Sequence, residues 1–237
     1  MSRSWSVREA SAPSLTTTCY QPRMGLWDIL KRRKPRGDGG FVPTLKPTAT
    51  VARRFAIVVL VSELAEGALI EAAGANQEVG LAKRKHALDR LLAIGLSPAD
   101  LEPAELELGS GSKRGQVEPG LVTSALWRLD GAPVLAWALG LTDSIPSADV
   151  GASVAELDQL IPADRTAFER LAATASMRPL NAVMAQYHEW SMRCFEVEPQ
   201  PPGERRSRIL ERSRSLRWLV EPDQRELSSI AMLGAQR

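Results

Sequence analysis

The two histidines, His86 and His188, are the first candidates for acid–base or metal chemistry, because the sequence contains no other histidine. A zinc hydrolase of the H-E-x-x-H type needs a second histidine four residues after the first, and Met192 occupies that position after His188. A di-iron site in a helix bundle needs a glutamate three residues before each histidine. Lys83 and Ala185 stand there instead. We therefore expect no metal at either histidine.

Nucleophilic catalysis and nucleotide binding also lack a recognisable pattern. The sequence has no G-x-S-x-G nucleophile elbow, no G-x-x-x-x-G-K-[ST] phosphate loop and no G-x-G-x-x-G turn. Cys194 follows His188 by six residues, which is about 600° around a helix, so the two side chains lie on different faces. We expect no catalytic residue of a known type and no cofactor.

A second group of candidates combines tryptophans with charged residues. Arg128 follows Trp127, and Arg217 precedes Trp218. If Arg128, Asp130, His188 and Glu189 met in one pocket, they would form an enzyme site. The alternative is a charge network in the core, in which Asp130 or Glu189 is the partner of the arginines. The full candidate set is Trp127, Arg128, Asp130, Trp137, His188, Glu189, Trp190, Arg217 and Trp218.

The densest run of arginines lies between residues 205 and 217. Arg205, Arg208 and Arg212 fall near one side of a predicted helix and are candidates for phosphate contacts. The alternative is an ordinary solvated helix side, opposite a buried side. The predicted buried residues are Ile209, Leu210, Leu216 and Leu219.

Charge is unevenly distributed along the chain, although the formal net charge is only +2. Residues 1–54 are basic, residues 55–200 are acidic, and residues 201–237 are basic again. An acidic globular part is a poor binder of nucleic acid, so only the two ends support that function. The longest apolar run, 55–61, is too short for a membrane span, which needs about 20 residues.

Apolar residues recur at helical spacing along most of the chain, and no segment shows the alternation of a strand. We predict an all-α, irregular multi-helix domain of about six to eight helices. The first helix, from Thr50 to Ala73, is expected to be largely buried, and the inner face of the second includes Val79, Ala82, Ala87, Leu88, Leu91 and Leu92. The predicted helices that follow are 119–139 with a break at Pro133, 154–161, 165–175, 179–196 and 204–220.

The predicted organisation has three parts. Residues 1–47 form a disordered basic leader and a Pro/Gly linker, and Met24 is a candidate true start. Residues 48–222 form a single α-helical domain, which Pro222 ends. Residues 223–237 form a frayed tail.

Residues 126–146 read LWRLDGAPVLAWALGLTDSIP and are the most distinctive stretch. They resemble the W-R-x-E-A-x-x-x-L-x-W-A-L-G stretch of DUF4272, a bacterial family of domains of unknown function. Residues 77–91 are similar to the family's E-E-V-A-x-R-A-x-A-L helix, and residues 211–219 to its late R-x-x-A-L-N-W-L helix. Asp130 stands where the family has glutamate, and Gly131 and Pro133 interrupt that helix. The resemblance covers residues 50–221 and implies an α-helical cytoplasmic domain without an established activity.

These observations leave the function unknown and favour a non-catalytic protein-interaction module whose partner is another protein. A nucleic-acid-associated protein that uses the basic ends is one alternative, and an enzyme with an unrecognised site is the other. Two distant cysteines, Cys19 and Cys194, do not form a disulfide framework. We expect a cytoplasmic protein without a transmembrane segment.

Overall fold

The computed structural model describes residues 43–74, 76–110 and 118–221, and regular structure in these ranges is helical throughout. The helices are α1 (Thr48–Ala72), α2 (Gln77–Ala93), α3 (Pro103–Ser110), α4 (Pro119–Arg128), α5 (Ala132–Ala138), α6 (Val154–Asp158), α7 (Arg165–Thr174), α8 (Leu180–Val197) and α9 (Glu204–Val220). Short 3-10 turns occupy Pro98–Asp100 and Leu129–Gly131. With α4 and α5 counted as one interrupted helix, these ranges hold eight helices, which confirms the predicted all-α class.

Helix α1 lies at the centre of the domain and packs against α2, α3, α4, α5, α6 and α7. Its residues from Phe55 to Val61 are apolar on every side of the helix, so they are stable only when other elements cover them all round. Phe55, Leu60 and Leu64 are fully buried. The prediction of a largely buried first helix is therefore confirmed.

Helices α1 and α2 approach each other most closely where Gly67 faces Gly80. A Cβ atom on Gly80 would lie 2.7 Å from the carbonyl oxygen of Gly67, and a Cβ atom on Gly67 would lie 2.7 Å from the carbonyl oxygen of Gly80. Both distances are shorter than a carbon–oxygen contact allows. The close approach therefore requires glycine at both positions.

This crossing corrects the predicted inner face of α2. Val79, Ala82 and Leu92 were expected to be buried, and all three are exposed. The buried residues of α2 are Gly80, Arg84, Ala87 and Leu91, which recur at helical spacing. The face that packs on α1 is the one that contains Gly80, because only that face permits the backbones to approach.

The helix ends follow local signals in the sequence. The Asn76 side chain accepts a hydrogen bond from the Val79 amide at 3.2 Å and caps α2. Gly74 and Gly95 follow α1 and α2 with φ angles of 66° and 80°, in the left-handed region that favours glycine.

The predicted break near Pro133 is present between α4 and α5. The helix tightens into the 3-10 turn Leu129–Gly131 and resumes at Ala132, because proline cannot donate the next backbone hydrogen bond. A Cβ atom on Gly131 would collide with the Ser215 side chain of α9. The turn and α9 are therefore in direct contact.

Several predictions on chain organisation lie outside the described residues. These are the leader up to residue 42, the candidate start at Met24, the stop at Pro222 and the tail 223–237. The last residues of the predicted linker are described, and the Lys46 amide donates to the Leu219 carbonyl at 3.1 Å. None of the helices in the described ranges combines the length and the apolar content that crossing a membrane requires.

Replacing Gly80 with alanine should destabilise the domain, because the new Cβ atom would meet both the Gly67 carbonyl and the Glu71 side chain. We expect a loss of about 1–3 kcal/mol in the free energy of unfolding, which urea denaturation would measure. Gly109→Ala is the matched control, since the nearest atom to its Cβ is Leu88 Cδ2 at an ordinary 3.5 Å. Equal stability of the two variants would contradict the packing constraint.

Candidate functional site

A groove of about 1300 Å³ opens between the end of α1, α2, α3, α4 and the start of α9. We call it the acidic groove, because its lining contains more acidic than basic side chains. The acidic residues are Glu71, Glu107, Glu118, Asp130 and Glu204, the basic residues are Arg84 and Arg208, and the large apolar residues are Leu69, Leu81, Val122, Leu126 and Trp127.

The apolar part of the acidic groove is accessible to solvent. Leu69 on α1 and Leu81 on α2 are 52% and 51% exposed, although burial of a leucine side chain would gain about 1.5–3 kcal/mol. The α1–α2 crossing places these two leucines on the groove side, away from the α2 face that packs on α1. Large apolar side chains that remain together at the surface mark a binding surface.

Both arginines of the acidic groove are held by groove carboxylates. Arg84 Nη1 donates to the Glu71 carboxylate at 3.3 Å, and its Nη2 donates to the Leu108 carbonyl at 3.0 Å. Arg208 Nη2 donates to Glu204 Oε2 at 2.6 Å, and its Nε lies 3.8 Å from Asp130 Oδ1. The acidic excess of the lining is therefore not balanced by its own arginines.

Asp130 links the acidic groove to the interior. Its Oδ1 accepts a hydrogen bond from the Ala152 amide at 3.1 Å. Burial raises the pKa of the Asp130 carboxyl, and this effect outweighs the opposing effects of the Ala152 amide, Arg212 and Arg208. The carboxylate thus holds the loop before α6 in place, although burial destabilises its charged form.

Arg212 of α9 is fully buried directly behind the groove. Its Nη1 donates to the Pro146 carbonyl at 2.6 Å, its Nη2 to the Val150 carbonyl at 2.7 Å, and its Nε to the Asp130 carbonyl at 3.3 Å. A buried carbonyl without a hydrogen bond costs free energy. One guanidinium therefore satisfies three backbone groups of the turn and of the loop between α5 and α6.

Trp190 of α8 lies between two arginines. Its ring is 5.3 Å from the Arg212 guanidinium and 4.7 Å from that of Arg193, and its Nε1 donates to Gln186 Oε1 at 3.2 Å. The ring is buried. Its contacts are those of a core residue that stabilises a buried cation.

Arg128, a candidate for the groove chemistry, belongs to a separate buried network. Its Nη1 lies 3.3 Å from Glu102 Oε2 and 3.2 Å from Glu105 Oε1. Arg54 of α1 completes the network, with Nη1 2.9 Å from Glu105 Oε1 and Nη2 3.2 Å from Glu102 Oε1. Two arginines and two glutamates balance each other, and they join α3 to α1 and α4.

The structure therefore gives the sequence candidates different partners from those considered. Arg128 was expected to pair with Asp130 or Glu189 and pairs with Glu102 and Glu105. Glu189 is exposed and pairs with Arg193 on the same helix.

His188 is also exposed. Within the described residues, the candidates that form ion pairs therefore do so in separate groups and do not meet in one site.

The other tryptophan and arginine candidates pack against neighbouring side chains. Arg178 lies 5.9 Å from the Trp137 ring and Lys46 lies 5.0 Å from the Trp218 ring, while Arg217 Nε donates to Glu221 Oε1 at 2.6 Å.

The arginine run on α9 is engaged with the protein itself. Arg205 Nε lies 3.2 Å from Asp149 Oδ1, and Arg208 is paired as described above. Arg212 corrects both sequence interpretations, since a fully buried side chain neither reaches a phosphate nor lies on a solvated side. The reason is the set of carbonyls in the irregular loop, which the helical pattern of α9 does not reveal.

Sequence reasoning missed the groove residues other than Trp127, Asp130 and Arg208. Leu69 and Leu81 were interpreted as core or left unassigned, because an apolar helix residue is more often buried than exposed. Sequence reasoning also missed the Glu63–His86 contact, in which His86 Nδ1 lies 3.1 Å from Glu63 Oε1. Burial raises the pKa of the Glu63 carboxyl, against the effect of His86. No spacing rule connects residues that meet only because α1 crosses α2.

Residues 38–226 match the model of the family described as Domain of unknown function (DUF4272). No curated protein and no solved structure matches the chain. The family match covers all the helices of the structure, and it includes every residue of the acidic groove.

Replacing Arg212 with leucine should destabilise the domain by about 3 kcal/mol or more, because three backbone carbonyls would lose the fully buried guanidinium that donates to them. Arg205→Ala is the control, since a single exposed ion pair contributes about 1 kcal/mol or less. Urea denaturation of both variants would measure the difference. If Arg212→Leu unfolded no more easily than Arg205→Ala, the structural role of Arg212 would be wrong.

The raised pKa of Asp130 predicts a pH-dependent effect of Asp130→Asn. Between the ordinary and the raised pKa the folded state holds the proton more tightly than the unfolded state. The contribution of Asp130 to stability is therefore full below its ordinary pKa and is lost as the pH rises through the folded pKa. The stability of Asp130→Asn relative to the wild type should rise with pH across this range. A difference that stays constant with pH, in urea denaturation, would contradict the prediction.

Proposed function

The chain belongs to the DUF4272 family, and we propose that it is a non-catalytic module that binds another protein through the acidic groove. The observation that carries this proposal is the exposure of Leu69 and Leu81 beside acidic side chains in one large concave surface. In keeping with what the family resemblance implies, we propose that the module acts in the bacterial cytoplasm.

The size of the groove favours a polypeptide over a small molecule. Small-molecule sites have volumes of about 300–1000 Å³ and enclose most of the ligand. The acidic groove has about 1300 Å³ and is lined by five helices. A segment of protein chain fits a surface of this size better than a compact metabolite does.

The chemistry of the lining favours binding over catalysis. The carboxylates nearest the groove interior, Asp130 and Glu71, have hydrogen-bonded structural partners. Cys194 lies on α8, which does not line the groove, and burial raises the pKa of its thiol. A raised thiol pKa lowers the thiolate fraction that a nucleophile requires.

The acidic lining also supports a protein partner over a nucleic acid. Phosphate groups require an excess of positive charge in the surface that they contact. Five carboxylates and two arginines line the acidic groove, and both arginines are paired with carboxylates of the lining. The nucleic-acid alternative therefore depends on the basic residues of segment 1–42, which lies outside the described ranges.

The proposal predicts that Leu81→Gln weakens capture of a protein partner. A tagged full-length chain would be incubated with nuclease-treated lysate of the source organism, and stoichiometrically retained protein would be quantified. Leu81→Gln should reduce retention about tenfold or more, since it places an amide at the centre of an apolar contact.

Leu92→Gln is the matched control, because Leu92 lies on the same helix, is 65% exposed and is not part of the groove lining. Retention that is equal in the wild type and in both variants would show that the partner binds elsewhere. Retention of no protein by the wild type would contradict the proposal directly.

A further inference from the structure

We propose that a second cleft, between the start of α1, the segment after α2 and helix α7, binds a small monocarboxylate with an apolar body. The proposal concerns a different surface from the acidic groove and does not depend on the proposed function. It follows from the volume of the cleft, from its apolar floor and from the two arginines at its rim.

The cleft has the volume of a small-molecule site. It offers about 330 Å³, and small-molecule sites have volumes of about 300–1000 Å³. Small residues create this space, since Ala49 of α1 and Ala172 and Ala173 of α7 each contribute only a methyl group to the lining. A ligand at the lower end of the size range would therefore fill the cleft.

The floor of the cleft is apolar and belongs to the core. Ile94 and Leu96 follow α2 and are 2% and 3% exposed, and Phe168 of α7 is 3% exposed. All three pack in the hydrophobic core of the domain, so the floor is formed without a ligand. The part of a ligand that lies against this floor must be apolar, because a polar group there would lose its hydrogen bonds to water.

The rim of the cleft carries three charged side chains, Arg53 of α1 and Arg165 and Glu169 of α7, and all three are exposed. Arg53 Nη1 lies 3.1 Å from Asp100 Oδ1, and Arg165 Nε lies 2.7 Å from Glu169 Oε1. Each ion pair uses one nitrogen of a guanidinium, which has five N–H donors in all. Both arginines can therefore donate to a further acceptor at the rim while they keep their carboxylate partners.

Gly95 allows the Arg165 side chain to lie beside the floor. Its φ angle is 80°, and a Cβ atom on Gly95 would be 3.0 Å from Arg165 Cδ and 3.1 Å from Arg165 Cγ. The aliphatic part of Arg165 therefore rests on the Gly95 backbone, between the two floor residues Ile94 and Leu96 in the sequence. This contact places a guanidinium next to the apolar surface, where one ligand can reach both.

The combination of guanidinium donors and an apolar floor selects a monocarboxylate. A carboxylate can accept two parallel hydrogen bonds from a guanidinium, which makes the pair stronger than a pair with a neutral acceptor. An alkylammonium ion offers no acceptor to Arg53 or Arg165. A doubly charged phosphate group would be repelled by the Glu169 carboxylate more strongly than a singly charged carboxylate would.

The test measures binding of hexanoate to the full-length chain by nuclear magnetic resonance. Backbone amide signals of the isotope-labelled protein would be followed as hexanoate is added, with hexanamide and hexylamine as the matched neutral and cationic probes. Hexanoate should shift the signals of Gly95, Leu96 and Ala172 in a saturable manner. Its dissociation constant should be at least about tenfold lower than that of either matched probe.

Protein variants separate a defined site from general attraction. Arg165→Gln removes a guanidinium from the rim and should weaken hexanoate binding about tenfold or more. Arg170→Gln is the matched control, because Arg170 lies on the same helix, is exposed and is not part of the cleft lining. Ala172→Leu should abolish binding, since the larger side chain would occupy the space of the ligand's body. Thermal melts followed by circular dichroism would establish that each variant is folded.

Saturable binding of hexanoate that requires both Arg165 and the space beside Ala172 would support the proposal. Equal binding of hexanamide, or equal weakening by Arg165→Gln and Arg170→Gln, would overturn it. Undiminished binding to folded Ala172→Leu, or no saturable shift at the cleft in the wild type, would overturn it as well. None of these results bears on the acidic groove, because the two linings have no described residue in common.

Discussion

The rest of the structure depends on the burial of Arg212. This guanidinium contacts the 3-10 turn between α4 and α5. It donates to three backbone carbonyls, one in that turn and two in the loop between α5 and α6. Without such a donor the turn and the loop between α5 and α6 would lose three hydrogen bonds to a buried cation, each of which contributes about 1.5–3 kcal/mol. Asp130 and Trp190 then complete the surroundings of the cation. Loop, turn, α8 and α9 are therefore fixed by one side chain.

A similar balance of buried charge holds around Arg54 of α1. Arg54 lies in a helix that other elements cover, so its charge requires acidic partners. Glu102 and Glu105 supply them, and Arg128 shares the same two carboxylates. The acidic short helix α3 is thus held against α1 and α4. These two internal networks use charged residues for structure, which separates them from the charges that remain at the acidic groove.

The acidic groove results from the same packing. The Gly67–Gly80 contact turns α2 so that Leu81 faces outward beside Leu69. Within the groove lining, Arg208 joins Asp130 of the 3-10 turn to Glu204 of α9. Large apolar side chains that remain exposed together beside acidic ones mark a binding surface. The proposed function derives from this combination.

The sequence by itself determined the helical class, the bounds of most helices and the break at Pro133, because these depend on spacing, caps and proline within a short window. It also identified Trp127, Asp130 and Arg208 as residues of interest. Only the tertiary structure decided that Arg212 is buried, that Arg128 pairs with Glu102 and Glu105, and that Leu81 is exposed. Each of these depends on contacts between residues far apart in the chain. Helical periodicity specifies which residues share a face, and only packing specifies what that face meets.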